Sequence, residues 1–376
     1  MECQATGGVL RFFTDLPDPR ANNSVHRLSD MLVIAICAVI CGADGWVQVA
    51  LFGRSKLQWF SSFLELPSGI PSHDTFGRVF ARLDPDALEA RFTAWINSLA
   101  QSAKGKLVAI DGKAIRRSFE HAWDKSGMAH LVSAFVGANR LVFGQLAVEN
   151  KENEIVAIPR LLELLDLHGA MVTIDAMGCQ KAIARKIVDK GGDYLLALKE
   201  NQPTLHQKVK TLLDEAILEG FGGMEHDACE TTDGDHGRIE TRRCWSTGEI
   251  EHLGEWANWP GLKSLAVVES RRELIGQEPG MERRYYLCSL ESPKAAVVLE
   301  ASRGHWSVEN QLHYLLDVSF NEDQRRLRKG RGAENFSRLC RLALNLLQQE
   351  KTRVGIKSKR LLAGWDHDYL LRLLSA

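Results

Sequence analysis

No segment of this 376-residue chain is long and apolar enough to span a bilayer, which takes about 20 residues. The most hydrophobic stretch, Met31 to Cys41, is expected to be a buried helix instead. The eight cysteines are scattered without a Cys-x2-Cys pair, and Cys37 and Cys41 read as core residues rather than ligands. No secretory signal, transit peptide or lipid anchor is visible, so reduced thiols and a cytoplasmic location are expected. Charge of one sign is also missing. The formal net charge is -1, so the whole molecule is no polycation and nucleic-acid binding would have to rest on local basic patches. Internal repeats, low-complexity tracts and an obvious Ser or Tyr nucleophile motif are absent as well.

What is present is ordinary globular composition, 45% hydrophobic and 25% charged, with material for two or three domains. Residues 1–104 read as helical. Ser29 is placed to cap a helix from Asp30 to about Cys41, and Ser72 a helix carrying Phe76, Val79, Phe80 and Leu83 on one face. Asp84-Pro85 starts another, with Leu88, Phe92, Trp95 and Leu99. With Arg78, Arg82 and Arg91, this is either a small DNA-binding bundle or a plain packing domain. From 105 the period switches to strands at Leu107–Ile110, His130–Val136 and Leu141–Val148. Helix and strand then alternate through 221, with strands at 171–174 and Tyr194–Leu198, which predicts an α/β sheet with a mixed edge. Residues 222–292 read as a β-rich insertion, and 293–376 as returning helices.

Three acidic residues stand out against this pattern. Asp111 ends the apolar run Leu107-Val-Ala-Ile110, and Asp175 ends Met171-Val-Thr-Ile174. Open α/β sheets place their sites at such strand ends. Glu309 lies in a segment of helical spacing, with His313 and Asp317 on the same face at i+4 and i+8. Two strand-end aspartates and one helical glutamate can converge on two hard divalent cations, which take oxygen ligands and leave room for water and phosphate. The competing reading is that the aspartates only cap turns. His305 and His313 can act as metal ligands, bind phosphate or order the carboxylates. Lys113, Lys199, Arg238 and Arg242 sit near strand ends or in the insertion and can hold phosphates. Basic runs at 325–331 and 351–360 are either DNA contacts or solvated helix faces.

The chain resembles the H-repeat-associated transposases of bacterial insertion sequences, a branch of the DDE transposases. The resemblance is carried in order by Leu16-Pro-Asp-Pro-Arg20, Cys37-Ala-Val with Gly42-Ala and Trp46, Ser72-His-Asp-Thr-Phe76, and Ile110-Asp-Gly-Lys113. It continues through Val132-Ser-Ala-Phe135, Asn153-Glu-Ile with Ile158-Pro, Asp175-Ala-Met-Gly-Cys-Gln180, Asp193-Tyr-Leu and Leu198-Lys-Glu-Asn-Gln202. It ends with His236-Gly-Arg-Ile-Glu240, His305-Trp-Ser-Val-Glu-Asn310, Leu312-His313, Leu316-Asp-Val318 and Glu322-Asp323. Related transposases carry a Tyr-x2-Arg-x3-Glu-x6-Lys signature around the glutamate. Here Ser302, His305 and Leu316 stand at the Tyr, Arg and Lys positions.

The resemblance implies a ribonuclease-H-like mixed α/β core over 105–221, interrupted by the β-rich insertion 222–292 and completed by helices in 293–376. A small all-helical, DNA-binding domain over 1–104 precedes it. Asp111, Asp175 and Glu309 would be the catalytic residues and the ligands of two Mg2+ or Mn2+ ions. Arg303, His305 and His313 would hold phosphate, and Arg325, Arg328 and Arg331 would contact DNA. The implied partners are double-stranded element ends and target DNA, with a homodimer assembled on them, nucleoid-associated when bound and with no membrane. The implied activity is cleavage at element ends and joining of 3′-hydroxyls to target. The alternatives are a ribonuclease-H-like nuclease without strand transfer and a domesticated DNA-binding relic.

Overall fold

The computed structural model describes residues 8–20, 24–99, 104–118, 128–148, 154–235, 238–274, 278–291 and 294–375. Asn153, His236 and Gly237 of the motifs above, and Pro293 at the start of the returning helices, lie outside the described residues. Among the described residues no helix is long and apolar enough to cross a membrane.

Among the described residues a 3-10 helix at Gly8–Phe13 is followed by α1 Leu28–Ile40, α2 Trp46–Ser55, α3 Leu57–Phe60, α4 His73–Arg82 and α5 Pro85–Leu99. Ser72 caps α4 as its position predicts, its hydroxyl accepting from the Thr75 amide at 3.2 Å. Ser29 does not cap α1, which already begins at Leu28. The adjacent Asp30 is turned inward instead, accepting from the Leu66 amide at 3.1 Å. Every α1 residue except Ser29 is buried, as an apolar run this uniform requires.

Among the described residues nine strands form one sheet in the order β3-β2-β1-β4-β5-β9-β8-β7-β6. The first five are β1 Leu107–Ala114, β2 His130–Val136, β3 Leu141–Val148, β4 Met171–Ile174 and β5 Asp193–Leu198. β1 pairs antiparallel with β2 and parallel with β4, and β4 pairs parallel with β5. Three antiparallel strands followed by two parallel ones is the ribonuclease-H-like core. The crossovers are α6 Glu154–Leu164 and α7 Lys181–Asp189, and α8 Pro203–Leu218 follows β5.

The β-rich segment consists of β6 Asp227–Asp235, β7 Arg238–Thr247, β8 Ser264–Leu274 and β9 Gly280–Cys288. It is no separate layer. β9 pairs antiparallel with β5, Leu196 opposite Leu287, so the insertion extends the central sheet. β6 carries a polar sequence without clean alternation, and for that reason its pattern alone did not predict a strand.

The returning helices are α9 Ala295–His305, α10 Tyr314–Phe320, α11 Gly332–Gln349, α12 Ile356–Trp365 and α13 His367–Leu374. α9 covers one face of the sheet, closing a core with Leu195, Ala266, Tyr286 and Cys288. It approaches β1 so closely at Gly304 that a Cβ there would lie inside the Leu107 side chain. The opposite face belongs to a larger core running from Val9 to Leu374.

That larger core joins the N-terminal helices to the C-terminal ones. α11 is buried along nearly its whole length against α1, α4, α5 and β3. Its Asn335 amide donates to the carbonyls of Phe80 and Leu83, capping α4 at 2.8 and 2.9 Å. Arg360 of α12 donates to Val39 and Ile40, capping α1 at 2.8 and 3.2 Å. Asn345 and Glu89 satisfy the edge strand β3 by bonding Val142 and the Gln145 amide. Residues 1–104, read from sequence as a small domain, thus share one core with 293–376.

Buried charge pairs reinforce this seam. Arg338 bridges Glu89 at 3.0 Å and Glu334 at 2.8 Å. Arg341 meets Glu322 at 2.7 Å with both side chains fully buried. Burial raises the pKa of Glu322, but Arg341, Arg325 and the hydrogen bonds from Ser337 and Arg341 outweigh it and hold the carboxyl at about 2. A carboxyl depressed on folding contributes stability that is present above its unfolded pKa and is lost as pH falls towards its folded value. Glu322→Gln should therefore cost about 3–5 kcal/mol at neutral pH, because it strands a buried guanidinium. Urea unfolding should show the loss at pH 7 and a much smaller one near pH 2, where the native carboxyl is itself half-protonated.

Candidate active site

The parallel register of β1 and β4 sets Ile110 opposite Ile174, so the next residues, Asp111 and Asp175, emerge level and side by side. β1 does not stop at Ile110 as its apolar run suggests. It continues to Ala114, pairing Asp111 with Ser133 of β2. Asp111 therefore projects from a strand fixed on both sides. Its Oδ1 accepts from the Gly112 amide at 2.9 Å, and Oδ2 faces inward. Asp175 does cap a turn: its Oδ1 accepts from the amides of Met177 and Gly178 at 3.1 and 3.3 Å. That holds one oxygen and leaves Oδ2 for other work.

Glu309 arrives from a helical segment rather than a strand end. α9 ends at His305, and Val308–His313 forms a π-helical turn before α10. Such wide turns are frequent at functional sites. His313 is buried, and its Nδ1 lies 2.9 Å from Glu309 Oε2 and 3.7 Å from Asp111 Oδ2. One ligand atom each from Asp111, Glu309 and His313 lies within 4.8 Å of the others. The expected i+8 partner, Asp317, turns away from this group and pairs with Lys113 at 2.7 Å.

A cleft of about 250 Å³ contains Asp111, Asp175 and Glu309 together. His305 lines it, its Nδ1 3.1 Å from Thr173 Oγ1. Lys199 reaches the cleft from the end of β5. Two lining residues were missed in the sequence, Arg284 and Tyr286 of β9. The Tyr286 hydroxyl meets Ser302 Oγ at 2.8 Å, and Arg284 is forked onto Glu282 at 2.9 and 3.1 Å and packs over the Trp306 ring at 5.0 Å. Their i, i+2 spacing puts both on one strand face, a signal legible only once β9 is known to join β5. Ser302 is thus matched by a tyrosine from another element, while Leu316 is simply core.

The remaining predicted cations divide. Lys113 is buried and pairs with Asp317 and Asp323, so it is committed to protein carboxylates. Arg242 and Arg303 both meet Asp233 at 2.8 Å, and Arg238 lies 4.0 Å from Glu240. Arg325 is not on a DNA-facing strip. It is buried, donating to the Phe320 carbonyl and packing 4.7 Å over Phe336. Arg328 donates to the Arg117 carbonyl at 3.4 Å, and Arg331 is exposed, 3.6 Å from Glu334. In the second basic run Lys359 and Arg360 are buried caps rather than surface charges.

Burial raises the Asp111 pKa, and nearby Asp175 adds to it, while His313 and His305 oppose. The hydrogen bond from His313 lowers that of Glu309. Burial lowers the pKa of His305 against the pull of Asp111 and Asp175, so the ring meets a ligand as a neutral donor or acceptor at neutral pH. Carboxylates at strand and helix ends, with one imidazole, suit a hard or borderline divalent ion.

The family described as "Transposase DDE domain" matches residues 102–346, and a companion described as "DDE_Tnp_1-associated" matches residues 10–96. The chain belongs to the DDE transposase family. It is 40% identical over 373 residues to "Putative transposase YncI" of Escherichia coli O157:H7, covering 98% of this chain and 94% of that one. It is 39% identical to "H repeat-associated putative transposase YhhI" of Escherichia coli (strain K12), covering 98% and 97%. A shorter relative, "Inactive transposase YbfQ" of the same strain, is 45% identical over 75 residues, 20% of this chain and 89% of that one. A cryo-EM structure of the piggyBac transposase synaptic complex with hairpin DNA superposes with a TM-score of 0.43 at 10% identity, covering 92% of this chain and 73% of that one. Family members are metal-dependent polynucleotidyl transferases, and the donor set at Asp111, Glu309 and His313 fits that chemistry.

A divalent ion here has to displace the proton that Asp111 retains above the ordinary aspartate range. Metal affinity should therefore strengthen as pH rises through that elevated value. Calorimetric titration of Mg2+ or Mn2+ at stepped pH checks this, and Asp111→Asn should weaken binding and flatten the dependence.

Proposed function

We propose that this chain is an active DNA transposase of an insertion sequence. On this reading it cleaves phosphodiesters at the ends of its element and joins the freed 3′-hydroxyls to target DNA. The observation that carries the reading is the convergence of Asp111, Asp175 and Glu309 in one cleft, from two parallel strand ends and a π-helical turn.

In this mechanism the three carboxylates hold two Mg2+ or Mn2+ ions, which when bound lower the pKa of water and offset charge on the phosphoryl group. Asp111, paired with Ser133 of β2 and one residue beyond the last β1–β4 pair, would be the carboxylate common to both ions. Water adds to phosphorus in line with the departing 3′-oxygen, and the P–O3′ bond breaks to leave a 5′-phosphate and a 3′-hydroxyl. That hydroxyl then attacks a target phosphodiester in the same geometry, displacing a target 3′-oxygen. Lys199 and Arg284 are the cations proposed to hold phosphate oxygens in the cleft, the lysine as a point charge and the arginine through donors that its fork onto Glu282 does not take. Arg238, Arg242 and Arg303 remain candidates for further contacts along the strand.

Double-stranded DNA is the partner, bound by a homodimer assembled on two ends. End recognition is assigned to the N-terminal helices, with exposed Arg78 and Arg82 of α4 placed for a groove. Exposed Arg326, Lys329 and Arg331 supply sequence-independent attraction. A nuclease without strand transfer uses the same carboxylates. Pre-cut ends incubated with target plasmid separate the two, since only the transposase makes joined product.

Asp111→Asn, Asp175→Asn and Glu309→Gln should each reduce cleavage to background and leave end binding within a few-fold of wild type, read by gel shift beside a nicking assay. Cleavage should require Mg2+ or Mn2+ and stop in excess EDTA, while Ca2+ should support binding with little cleavage. Robust cleavage in EDTA would rule the mechanism out.

Joint neutralisation of Arg326, Lys329 and Arg331 should weaken binding to all duplexes. It should also flatten the salt dependence by about one log–log unit for each phosphate that is no longer neutralised. Arg78→Ala with Arg82→Ala should instead lower preference for the cognate end over random duplex. Point changes are the right tool here, because removing 1–104 would open the shared core.

A further inference from the structure

We infer that His313 is itself a metal ligand through Nδ1, so that the two ion positions of this cleft are chemically unlike. This rests on the metal-dependent reading above and adds to its ligand set. One position lies among Asp111, Glu309 and His313 and contains nitrogen. The other is shared by Asp111 and Asp175 and is made of oxygen alone.

The geometry of the first position argues for it. Octahedral ligands at about 2.1 Å from an ion stand about 3 Å from one another along each edge. His313 Nδ1 stands 2.9 Å from Glu309 Oε2 and 3.7 Å from Asp111 Oδ2. The three ligand atoms all fall within 4.8 Å. Small side-chain rotations close the triangle around one ion without moving the backbone.

The placement of the ring argues for it too. His313 is 5% exposed, so it is fixed rather than sampling solvent. Its Nε2 is buried with no hydrogen-bond partner among the described residues, so the close polar contacts seen for the ring, both through Nδ1, are to the two carboxylates. An ion would take the place of the proton shared between Nδ1 and Glu309. Glu309 and His313 both lie on the π-helical turn Val308–His313.

The chemical consequence is selectivity. A position built from oxygen alone accepts Mg2+ and Mn2+ with little distinction, whereas an imidazole donor favours transition ions over Mg2+. The nitrogen-containing position is therefore a Mn2+-preferring one, and the Asp111–Asp175 position accepts either ion.

The test is pulsed EPR on the full-length protein loaded with Mn2+, in natural-abundance and 15N-histidine-labelled forms. The expected result is a 14N coupling to Mn2+ that is replaced by a 15N coupling on labelling. The coupling should be lost in His313→Gln and retained in His305→Gln. Alongside it, calorimetric titration should show His313→Gln weakening Mn2+ by about tenfold or more and Mg2+ much less. A ring that only steers Glu309 by a hydrogen bond would weaken both ions together, as outer-shell partners do. Bound Mn2+ with no histidine coupling in the wild-type protein would overturn this inference and leave the carboxylate mechanism standing. Failure of Mn2+ to bind, or binding indifferent to Asp111→Asn, would overturn both. The wild-type labelling comparison decides the question even if His313→Gln folds poorly.

Discussion

The parallel pairing of β1 with β4 is the constraint on which the site depends. It puts Ile110 opposite Ile174 and so delivers Asp111 and Asp175 at one level, on strands that neighbours hold from both sides. The third carboxylate is placed by packing rather than pairing. α9 settles onto β1 at Gly304, where a Cβ would collide with the Leu107 side chain, and the chain then widens into the π-helical turn that carries Glu309 and His313. Two kinds of constraint, hydrogen-bonded register and close packing of a helix on a strand, meet at one cleft.

A second set of interactions makes the rest of the molecule a single support for that cleft. The carbonyl ends of α1 and α4 are capped by Arg360 and Asn335, and buried pairs of Glu89 with Arg338 and of Glu322 with Arg341 tie α5 and the segment after α10 to α11. Removing one partner of such a pair is far more disruptive than the pair is stabilising, so the seam specifies how the first and last hundred residues dock. It also uses up cations that would otherwise face solvent. On the proposed function, end recognition by the first helices and phosphoryl transfer in the cleft are mechanically joined through α11.

Much of this was legible in the residues. Apolar runs located β1, β2, β3, β4 and β5, Ser72 marked the start of α4, and the acidic residues at the ends of two runs marked the cleft. Other parts depended on tertiary context that no local pattern carries. β1 runs on through Asp-Gly-Lys because β2 supplies partners there. β6 is polar along its length and forms because β7 lies beside it. The insertion reads as a separate unit until β9 is seen to pair with β5, and that pairing is also what brings Arg284 and Tyr286 to the cleft. Arg325, Lys359 and Arg360 read as surface charge because sequence cannot show that Phe336, the end of α11 and the end of α1 wait to receive them.

On the proposed function, Asp111, Asp175 and Glu309 hold two ions between them. Anomalous diffraction from crystals soaked in Mn2+ tests it most directly. Two peaks are expected about 3.5–4 Å apart, both within bonding distance of Asp111, one also against Asp175 and the other against Glu309. A single strong peak elsewhere in the molecule, or Glu309 remaining outside bonding distance of any ion in a well-ordered cleft, would contradict it.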